Sequence, residues 1–193
     1  MSAERVGLRL TAWADELSTV SAGSGKSEPP KGRKRLGMVL DLVSAPGSTD
    51  LACRTAAHSD KEALAALMLD AYRGTVDYDG ESLEDALREI DHTLSGSYGR
   101  FLSGCSFVLD GEGGLSAASL VVLLNEGRND ETPLLAFTMT RKRDQRRGLA
   151  SALILRSAAS LSQLGHSRFS LVVTADNVPA RRLYDRLGFK PAR

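Results

Sequence analysis

The chain has 193 residues, 42% of them hydrophobic, and its 25 Lys and Arg residues nearly balance 24 Asp and Glu residues. An ordinary apolar fraction and a net charge of +1 exclude a wholly disordered chain, because enough apolar surface is present to form a core. The same balance disfavours a wholly basic nucleic-acid-binding protein. The longest uncharged stretch, around 113–125, is shorter than the roughly 20 apolar residues of a membrane-spanning helix.

The first 50 residues differ in pattern from the rest. Residues 6–11 and 36–42 alternate apolar and polar side chains, which suits half-buried strands. The segment between them, 23–35, is rich in Gly, Ser, Pro and basic residues and predicts a flexible linker. We therefore divide the chain into an N-terminal extension, residues 1–50, and a compact domain, residues 51–193. The start has no apolar run leading to a cleavage site, which predicts a cytoplasmic protein.

The compact domain is predicted to mix strands and helices. In chain order the predicted elements are a strand at 51–56, a helix after Asp60, a helix at 83–94, strands at 105–109, 115–124 and 134–140, a helix at 149–164, a strand at 169–173 and a helix at 179–187. Asp60 is placed to cap the first helix, and Gly165 to end the third. This order predicts an α/β fold with a mixed sheet of about five strands.

A basic turn joins the strand at 134–140 to the helix at 149–164. Five of the seven residues 141–147 are basic, and Gly148 follows them. A helix start offers unpartnered N–H groups and the positive end of the helix dipole, and glycine lets a phosphate approach the backbone closely. The segment suits pyrophosphate binding. A solvated basic turn is the alternative, and the residues leave both open.

A second polar segment begins the last helix. Pro179 fits the first helical turn, and Ala180 and Tyr184 are four residues apart and share a helix face. Asn177 stands where the strand ends, so its amide is placed to bridge the backbone on one side and a ligand on the other. A capping role for Asn177 and a core role for Tyr184 are the alternatives.

Taken together, the two segments resemble the GNAT superfamily of N-acetyltransferases. The first superfamily motif reads Arg or Gln, two residues, Gly, one residue, then Gly or Ala, and residues 145–150 (Gln-Arg-Arg-Gly-Leu-Ala) fit it. The second reads Asn, two residues, Ala, three residues, Tyr, with Gly-Phe close behind. The matching residues are Asn177, Ala180, Tyr184, Gly188 and Phe189. The resemblance covers roughly 51–193 and implies a GNAT-like fold with a mixed sheet of five to seven strands and about four helices.

The resemblance also implies acetyl-CoA as co-substrate, with no metal ion, in a cleft where strand 134–140 splays from strand 169–173. The implied cofactor-binding residues are Thr138, Met139, Thr140, Gln145, Arg146, Arg147, Gly148, Leu149, Ala150 and Asn177. N–H groups of 146–150 would meet the pyrophosphate, and an N–H of 138–140 would polarise the thioester carbonyl. The side chains expected to attract the phosphates are Arg141, Lys142, Arg143 and Arg146.

The implied activity is acetyl transfer from acetyl-CoA to a primary amine by direct attack, without a covalent enzyme intermediate. Tyr184 matches the superfamily's usual general acid, which protonates the departing thiolate. Strand 134–140 has no carboxylate where many members carry a Glu, so the sequence identifies no general base. Asp77, Asp79 and Glu81 are the predicted acceptor-binding residues; solvated turn residues are the alternative.

The acceptor would be a small-molecule or peptide amine, with no nucleic-acid or membrane partner expected and a homodimer left open. A non-catalytic coenzyme A-binding sensor or partner module is the alternative function.

A nucleotide-binding P-loop at 23–27 is set aside, because Val20 stands where the motif needs Gly, and because Pro29 and Pro30 prevent the helix that would follow.

Two further expectations concern the fold. Superfamily members usually continue past the Gly-Phe with a strand hairpin, whereas only four residues follow Phe189 here. We therefore expect residues 6–11 and 36–42 to pair with each other and add an edge or cover to the sheet. Cys53 and Cys105 have neither disulfide nor metal-site spacing and are predicted to be core residues.

Overall fold

A computed structural model of the protein describes residues 33–43 and 51–192. Its strands, β1 to β8, are Arg35–Asp41, Arg54–Thr55, Arg100–Phe101, Phe107–Gly111, Gly114–Leu124, Thr132–Thr140, Arg168–Thr174 and Lys190–Pro191. Its helices, α1 to α4, are Lys61–Tyr72, Leu83–Leu94, Leu149–Gln163 and Val178–Arg186. Short 3-10 turns occupy His58–Asp60, Ser103–Cys105 and Lys142–Asp144.

The strands of the described residues form one mixed sheet. Their order is β2-β4-β5-β6-β7-β1-β8, with β3 also paired to β5. The β6–β7 pair is parallel, and the other pairs are antiparallel. Alternation along β5 separates two helical layers: Leu120 packs with α1 and α2, whereas Val121 packs with α3 and α4. The α/β fold class with a mixed sheet is confirmed.

The start of the domain differs from its predicted form. Of the predicted strand 51–56, only Arg54–Thr55 pairs in the sheet, against β4. Asp60 stands at the start of α1, but its carboxylate does not cap the helix. It accepts hydrogen bonds from the N–H of Ala57 at 2.9 Å and from the Arg54 guanidinium at 2.8 Å. The pairing with Arg54 tethers β2 to the start of α1 and lowers the pKa of the Asp60 carboxyl.

Helix α2 begins and ends at the predicted residues. A reciprocal capping box fixes its start, because the Ser82 hydroxyl accepts from the N–H of Asp85 at 3.2 Å while the Asp85 carboxylate accepts from the N–H of Ser82 at 3.0 Å.

The described helices contain none that is long and apolar enough to cross a membrane. Both cysteines are free thiols; Cys105 is buried and Cys53 is half-buried.

Strand β1, which lies within the predicted extension, pairs in the main sheet. It pairs antiparallel with β7 along its whole length, from Arg35 opposite Thr174 to Asp41 opposite Arg168. Its other edge pairs with β8. The strand expected at 36–42 therefore extends the sheet beyond β7, between β7 and β8.

The reason is the apolar face of β1. Met38, Leu40 and Leu42 are each less than 5% exposed and pack with Phe169 and Phe189 in one buried cluster. Residues 6–11, which were expected to pair with this strand, lie outside the described residues, as does most of the predicted extension.

A β-bulge in β6 opens the sheet. Across the β5–β6 ladder Leu120 lies opposite Phe137 while Val121 lies opposite Leu135, so Ala136 is the extra residue. At the same point the pairing of β6 with β7 ends, because only residues 134 and 135 have partners in β7. Beyond Leu135 the two parallel strands diverge, as expected from the sequence motifs, and leave a cleft.

The packing of β1 predicts that Leu40→Ala lowers the free energy of unfolding by about 2–5 kcal/mol, because it removes buried methyl groups and leaves a cavity. Val43→Ala, at a side chain that is 87% exposed in the turn after β1, is the control and should cost less than about 0.5 kcal/mol. Urea unfolding monitored by circular dichroism measures both. Equal, small losses would show that β1 is not part of the cooperative core.

Candidate active site

A cavity of about 230 Å³ occupies the cleft between β6 and β7. Its walls come from α1, the loop between α1 and α2, α2, the diverging strands and the start of α4. Apolar side chains such as Met68, Leu134 and Val172 form part of the lining. The polar groups that converge on it include Tyr72, Asp77, Glu81, Glu89, Asn177 and Tyr184. A mostly apolar concavity with a few polar groups is the usual form of a small-molecule site.

Tyr184 projects from α4 and lines this cavity. Its ring packs edge-on against Phe189, with centroids 5.8 Å apart, and the residue is only 6% exposed. Burial raises the pKa of the phenol well above its usual value, and the negative charge of Asp77 raises it further. The phenol is therefore neutral at physiological pH and keeps a proton to donate. Tyr184 is therefore a core residue that also lines the cavity, and its role as general acid stays a prediction.

Asp77 joins the loop after α1 to the opposite wall of the cleft. Its Oδ1 accepts from the Thr174 hydroxyl at 2.5 Å, and its Oδ2 accepts from Asn177 Nδ2 at 2.6 Å. The other amide atom of Asn177, Oδ1, accepts from the N–H of Ala180 at 3.1 Å and caps α4. Asn177 thus bridges the backbone to a carboxylate of this chain, at the position where the sequence led us to expect a ligand.

The other two predicted acceptor residues lie in different places, one inside the cavity lining and one outside it. Glu81 lines the cavity, and its carboxylate accepts from the N–H of Asp79 at 2.9 Å. Asp79 itself forms an ion pair with Arg33 at 2.8 Å and is not part of the cavity lining. The structure therefore brings Asp77 and Glu81 to the cavity and places Asp79 outside it.

Several polar lining residues were not predicted from the sequence, and Glu89 and Tyr72 are two of them. Glu89 on α2 is 6% exposed and accepts from the Tyr98 hydroxyl at 3.0 Å. Tyr72 at the end of α1 donates to the carbonyl of Thr138 at 3.4 Å. A signal for Glu89 was present, since a carboxylate beside Ile90 and Thr93 stands on the buried face of an amphipathic helix, where a charge is costly.

The free edge of β6 points into the cleft. The N–H of Arg141 donates to the carbonyl of Ser116 on β5 at 2.9 Å, which fixes the alternation along the antiparallel pair. By that alternation Met139 bonds to β5, whereas the N–H and C=O groups of Thr138 and Thr140 face away from β5. Met139 is 1% exposed and packs under α1 and α2. Of the three predicted strand residues, only the two threonines offer backbone groups to the cleft.

The backbone carbonyls on that edge already accept hydrogen bonds from side chains of the protein. Tyr72 donates to the carbonyl of Thr138, and Gln145 Nε2 donates to the carbonyl of Thr140 at 3.2 Å. The Oγ1 atoms of both threonines are buried and have no hydrogen-bond partner within the described part of the chain. Buried polar atoms usually have partners, so this edge has unused hydrogen-bonding capacity for a ligand.

The start of α3 provides a second polar site. Gly148 caps the helix with φ +80° and no side chain, and a Cβ added there would meet no atom within 4 Å. The backbone N–H groups of residues 146–151 donate to no acceptor in the described ranges. Leu149 and Ala150 form the first, half-buried turn. Together with the helix dipole, these groups form an open anion-binding site.

Some of the basic side chains before this turn form hydrogen bonds within the protein. The Arg141 guanidinium donates to the carbonyls of Leu115 at 3.0 Å and Glu112 at 2.7 Å, and Arg143 also donates to the Glu112 carbonyl. These two arginines therefore hold the β4–β5 turn, a role that the sequence did not predict. Their charges still add to the local positive potential.

The remaining basic residues vary in their contacts. Lys142 donates its N–H to the Asp70 carboxylate at 2.7 Å and so links the turn to α1. Arg147 pairs with Asp144 at 2.7 Å, while its side chain is 65% exposed. Arg146 is exposed and has a left-handed backbone, φ +60°. The chain thus presents Arg146 and Arg147 to solvent beside the open helix start.

Comparisons with known proteins agree with this geometry. Residues 119–193 match the family model described as FR47-like protein. None of the curated proteins compared with the chain is significantly similar to it. Among solved structures, the aminoglycoside 6'-N-acetyltransferase AAC(6')-IG of Acinetobacter haemolyticus is 16% identical with a TM-score of 0.56, over 74% of this chain and 93% of that one.

Two further structures are similar to the same extent. AAC(6')-Iy, in complex with the bisubstrate analogue CoA-S-monomethyl-acetylneamine, is 15% identical with a TM-score of 0.54, over 74% of this chain and 92% of that one. The ribosomal-protein-S18-alanine N-acetyltransferase of Escherichia coli is 23% identical with a TM-score of 0.55, over 74% and 79% of the respective chains. The chain therefore has the fold of these N-acetyltransferase structures, which is the fold that its two motifs predicted.

Proposed function

We propose that the protein is an N-acetyltransferase that moves the acetyl group of acetyl-CoA to a primary amine. The observation that carries this proposal is the order of three features along β6 and the segment after it. The cavity, which contains a neutral phenol and several carboxylates, reaches Thr138; the free edge of β6 continues to Thr140; and the chain then leads to the open start of α3. Each part matches one portion of the reaction: the pyrophosphate, the acylated arm and the amine.

Coenzyme A fits the residues present. Its pyrophosphate would accept from the N–H groups of 146–151 beside Gly148, where no Cβ obstructs a close approach. Its extended arm would pair with the edge of β6 as an added strand, using the N–H groups of Thr138 and Thr140. Arg146 and Arg147 would add charge attraction at the exposed phosphates.

The chemical step would use three kinds of group. An N–H on the free edge of β6 would donate to the thioester carbonyl and stabilise the negative charge that develops on its oxygen. The Tyr184 phenol would donate its proton toward the departing thiolate. The amine must lose protons before and during attack, because only the neutral form is nucleophilic and a lysine-like ammonium has a pKa of about 10.

The acceptor is proposed to be a cationic amine. Asp77, Glu81, Asp85 and Glu89 line the cavity, whereas Arg35 is the one basic residue among its described lining. Carboxylates on a shared wall favour an ammonium group over a neutral or anionic ligand. The structures similar to this chain include enzymes named for aminoglycosides and for a ribosomal-protein alanine, and both acceptor classes carry amines.

Release of free thiol from acetyl-CoA across a panel of primary amines tests the proposal directly. The panel comprises a polyamine, an aminoglycoside, amino acids and short peptides with free N-termini. Amine-dependent thiol release, with the acetylated amine found by mass spectrometry, is the expected result. Tight binding of coenzyme A without turnover on any amine would favour the non-catalytic sensor.

Tyr184→Phe should lower kcat by about 100-fold, because the leaving thiolate loses its proton donor. Affinity for coenzyme A should be unchanged, since the ring keeps its packing against Phe189. Thiol release and calorimetric titration of coenzyme A measure the two quantities. A variant with wild-type kcat would remove Tyr184 from the acid role.

The raised pKa of Tyr184 has a consequence for the pH profile. A phenol whose pKa lies well above its ordinary value of 10 remains protonated at every pH up to that value. The kcat of the wild-type protein should therefore not fall between pH 7 and pH 10 through loss of this proton. Steady-state rates at saturating substrates across that range are the measurement; a decline that Tyr184→Phe abolishes would contradict the assignment.

Gly148→Ala should weaken coenzyme A binding at least tenfold, because the added methyl group enters the space where the anion would lie. The left-handed backbone also makes this change destabilising by about 1 kcal/mol. Gly165→Ala is a matched control: it lies at the other end of α3, has φ +87°, and likewise has no atom within 4 Å of the added Cβ. Both variants should lose similar stability, and only Gly148→Ala should lose affinity. Equal affinities in the two variants would exclude the helix start as the pyrophosphate site.

A further inference from the structure

Glu89 is a buried carboxylate in the wall of the candidate active site. It lies in the middle of α2, is 6% exposed and lines the same cavity as Tyr184 and Tyr72. A buried ionised carboxylate is costly unless hydrogen bonds or a nearby charge compensate it. Strand β6 supplies no carboxylate to this cavity, whereas α2 supplies those of Asp85 and Glu89.

A chain of hydrogen bonds leads from Glu89 away from the cavity. The Tyr98 hydroxyl lies 3.0 Å from Glu89 Oε2 and 3.2 Å from His92 Nδ1. Tyr98 is 7% exposed and its ring packs edge-on against the His92 ring, with centroids 5.6 Å apart. His92 is half-buried in the last turn of α2. The three side chains therefore connect the cavity to the protein surface.

We infer that Glu89 accepts the first proton from the acceptor ammonium, and that Tyr98 and His92 pass this proton to solvent. The inference rests on the proposed acetyltransferase function and identifies the general base that the sequence did not. Glu89 is then a catalytic residue, because it touches the reacting amine. Tyr98 and His92 act through Glu89 and are positioning and relay residues.

The protons balance as follows. The ammonium gives one proton to the Glu89 carboxylate and becomes a neutral amine, whose lone pair forms the bond to the thioester carbonyl carbon. When the C–S bond breaks, the thiolate takes the Tyr184 proton, and the nitrogen gives up its second proton, which restores the phenol. The proton on Glu89 moves to the Tyr98 oxygen as the Tyr98 proton moves to His92 Nδ1, and the imidazole releases a proton to water.

Other charged and titratable groups share this wall and contribute to its pH response. They are Tyr72 on α1, Asp77, Tyr78 and Glu81 on the connecting loop, Asp85 on α2, Arg35 on β1, and Tyr184 on α4. Glu89 differs from the other carboxylates of the cavity in its hydrogen bond to a buried tyrosine that also contacts a histidine. This connection provides an exit for a proton without opening the cavity.

The first test compares two acceptors. Glu89→Gln should lower kcat/KM by about 100-fold at pH 7.5 for the best acceptor of the amine panel, which is charged at that pH. It should have a much smaller effect with 2,2,2-trifluoroethylamine, whose fluorine atoms leave the amine uncharged at pH 7.5. Glu84→Gln is the control, because Glu84 lies on the exposed face of α2 and pairs with Arg88. Equal losses with both amines, or no loss, would overturn the role of Glu89.

The second test does not require turnover. The NMR resonances of the His92 ring, measured at pH 7.5, should shift in Glu89→Gln relative to wild type, because the substitution changes the hydrogen-bonded chain that ends at His92 Nδ1. The ring of His166, in the turn before β7, is the internal control and should keep its resonance positions. Unaltered His92 resonances would overturn the relay even if the amine panel had shown activity. Absence of thiol release with every amine would instead count against the proposed function.

Tyr98→Phe isolates the relay from the base. This variant keeps the ring and the Glu89 carboxylate but removes the bridging hydroxyl. We expect a lower kcat with the charged acceptor, by less than the Glu89→Gln loss, and a normal rate with trifluoroethylamine. A wild-type rate with the charged acceptor would overturn the relay through Tyr98. Circular dichroism melting of each variant confirms that the comparison is made on folded protein.

Discussion

The separation of β6 from β7 is the constraint on which the candidate site depends. A strand that leaves its neighbour exposes N–H and C=O groups, and buried backbone groups need partners. The carbonyls of Thr138 and Thr140 are met by Tyr72 and Gln145. The N–H groups on the same edge remain directed at the cleft. The bulge at Ala136 therefore opens the cavity and also leaves backbone donors at the cleft, to which we propose that the acylated arm binds.

The other side of the cleft owes its rigidity to β1. Because β7 pairs with β6 over only two residues, β7 by itself would be a weakly held strand. β1 pairs with all seven residues of β7 and covers its apolar face. Asn177 and Tyr184 follow β7 directly, so their positions depend on this support. Asp77 completes the arrangement by tying the loop above the cavity to Thr174 and Asn177.

Much of the fold could be predicted because its signals are local. The capping box at Ser82 and Asp85 fixes the start of α2, and the glycines at 148 and 165 bound α3. The two short strands at 100–101 and 190–191 were not predicted, because two-residue strands have too few residues for a periodic pattern. The pairing of β1 with β7 was also not predicted, because an alternating pattern indicates a strand but does not indicate which strand lies beside it.

The sequence by itself determined the residue types at the helix start, the glycine that leaves this start open, and the tyrosine of the last helix, because these lie within two short segments of fixed spacing. Only the tertiary structure decided which of them face the cleft. Arg141 and Arg143 donate to the carbonyl of Glu112 in the β4–β5 turn, and Asn177 donates to Asp77. Met139 packs in the core. The tertiary structure also brought Glu89 to the cavity from a helix that carries no motif. Such contacts join residues up to 100 positions apart, and no local pattern in the chain encodes them.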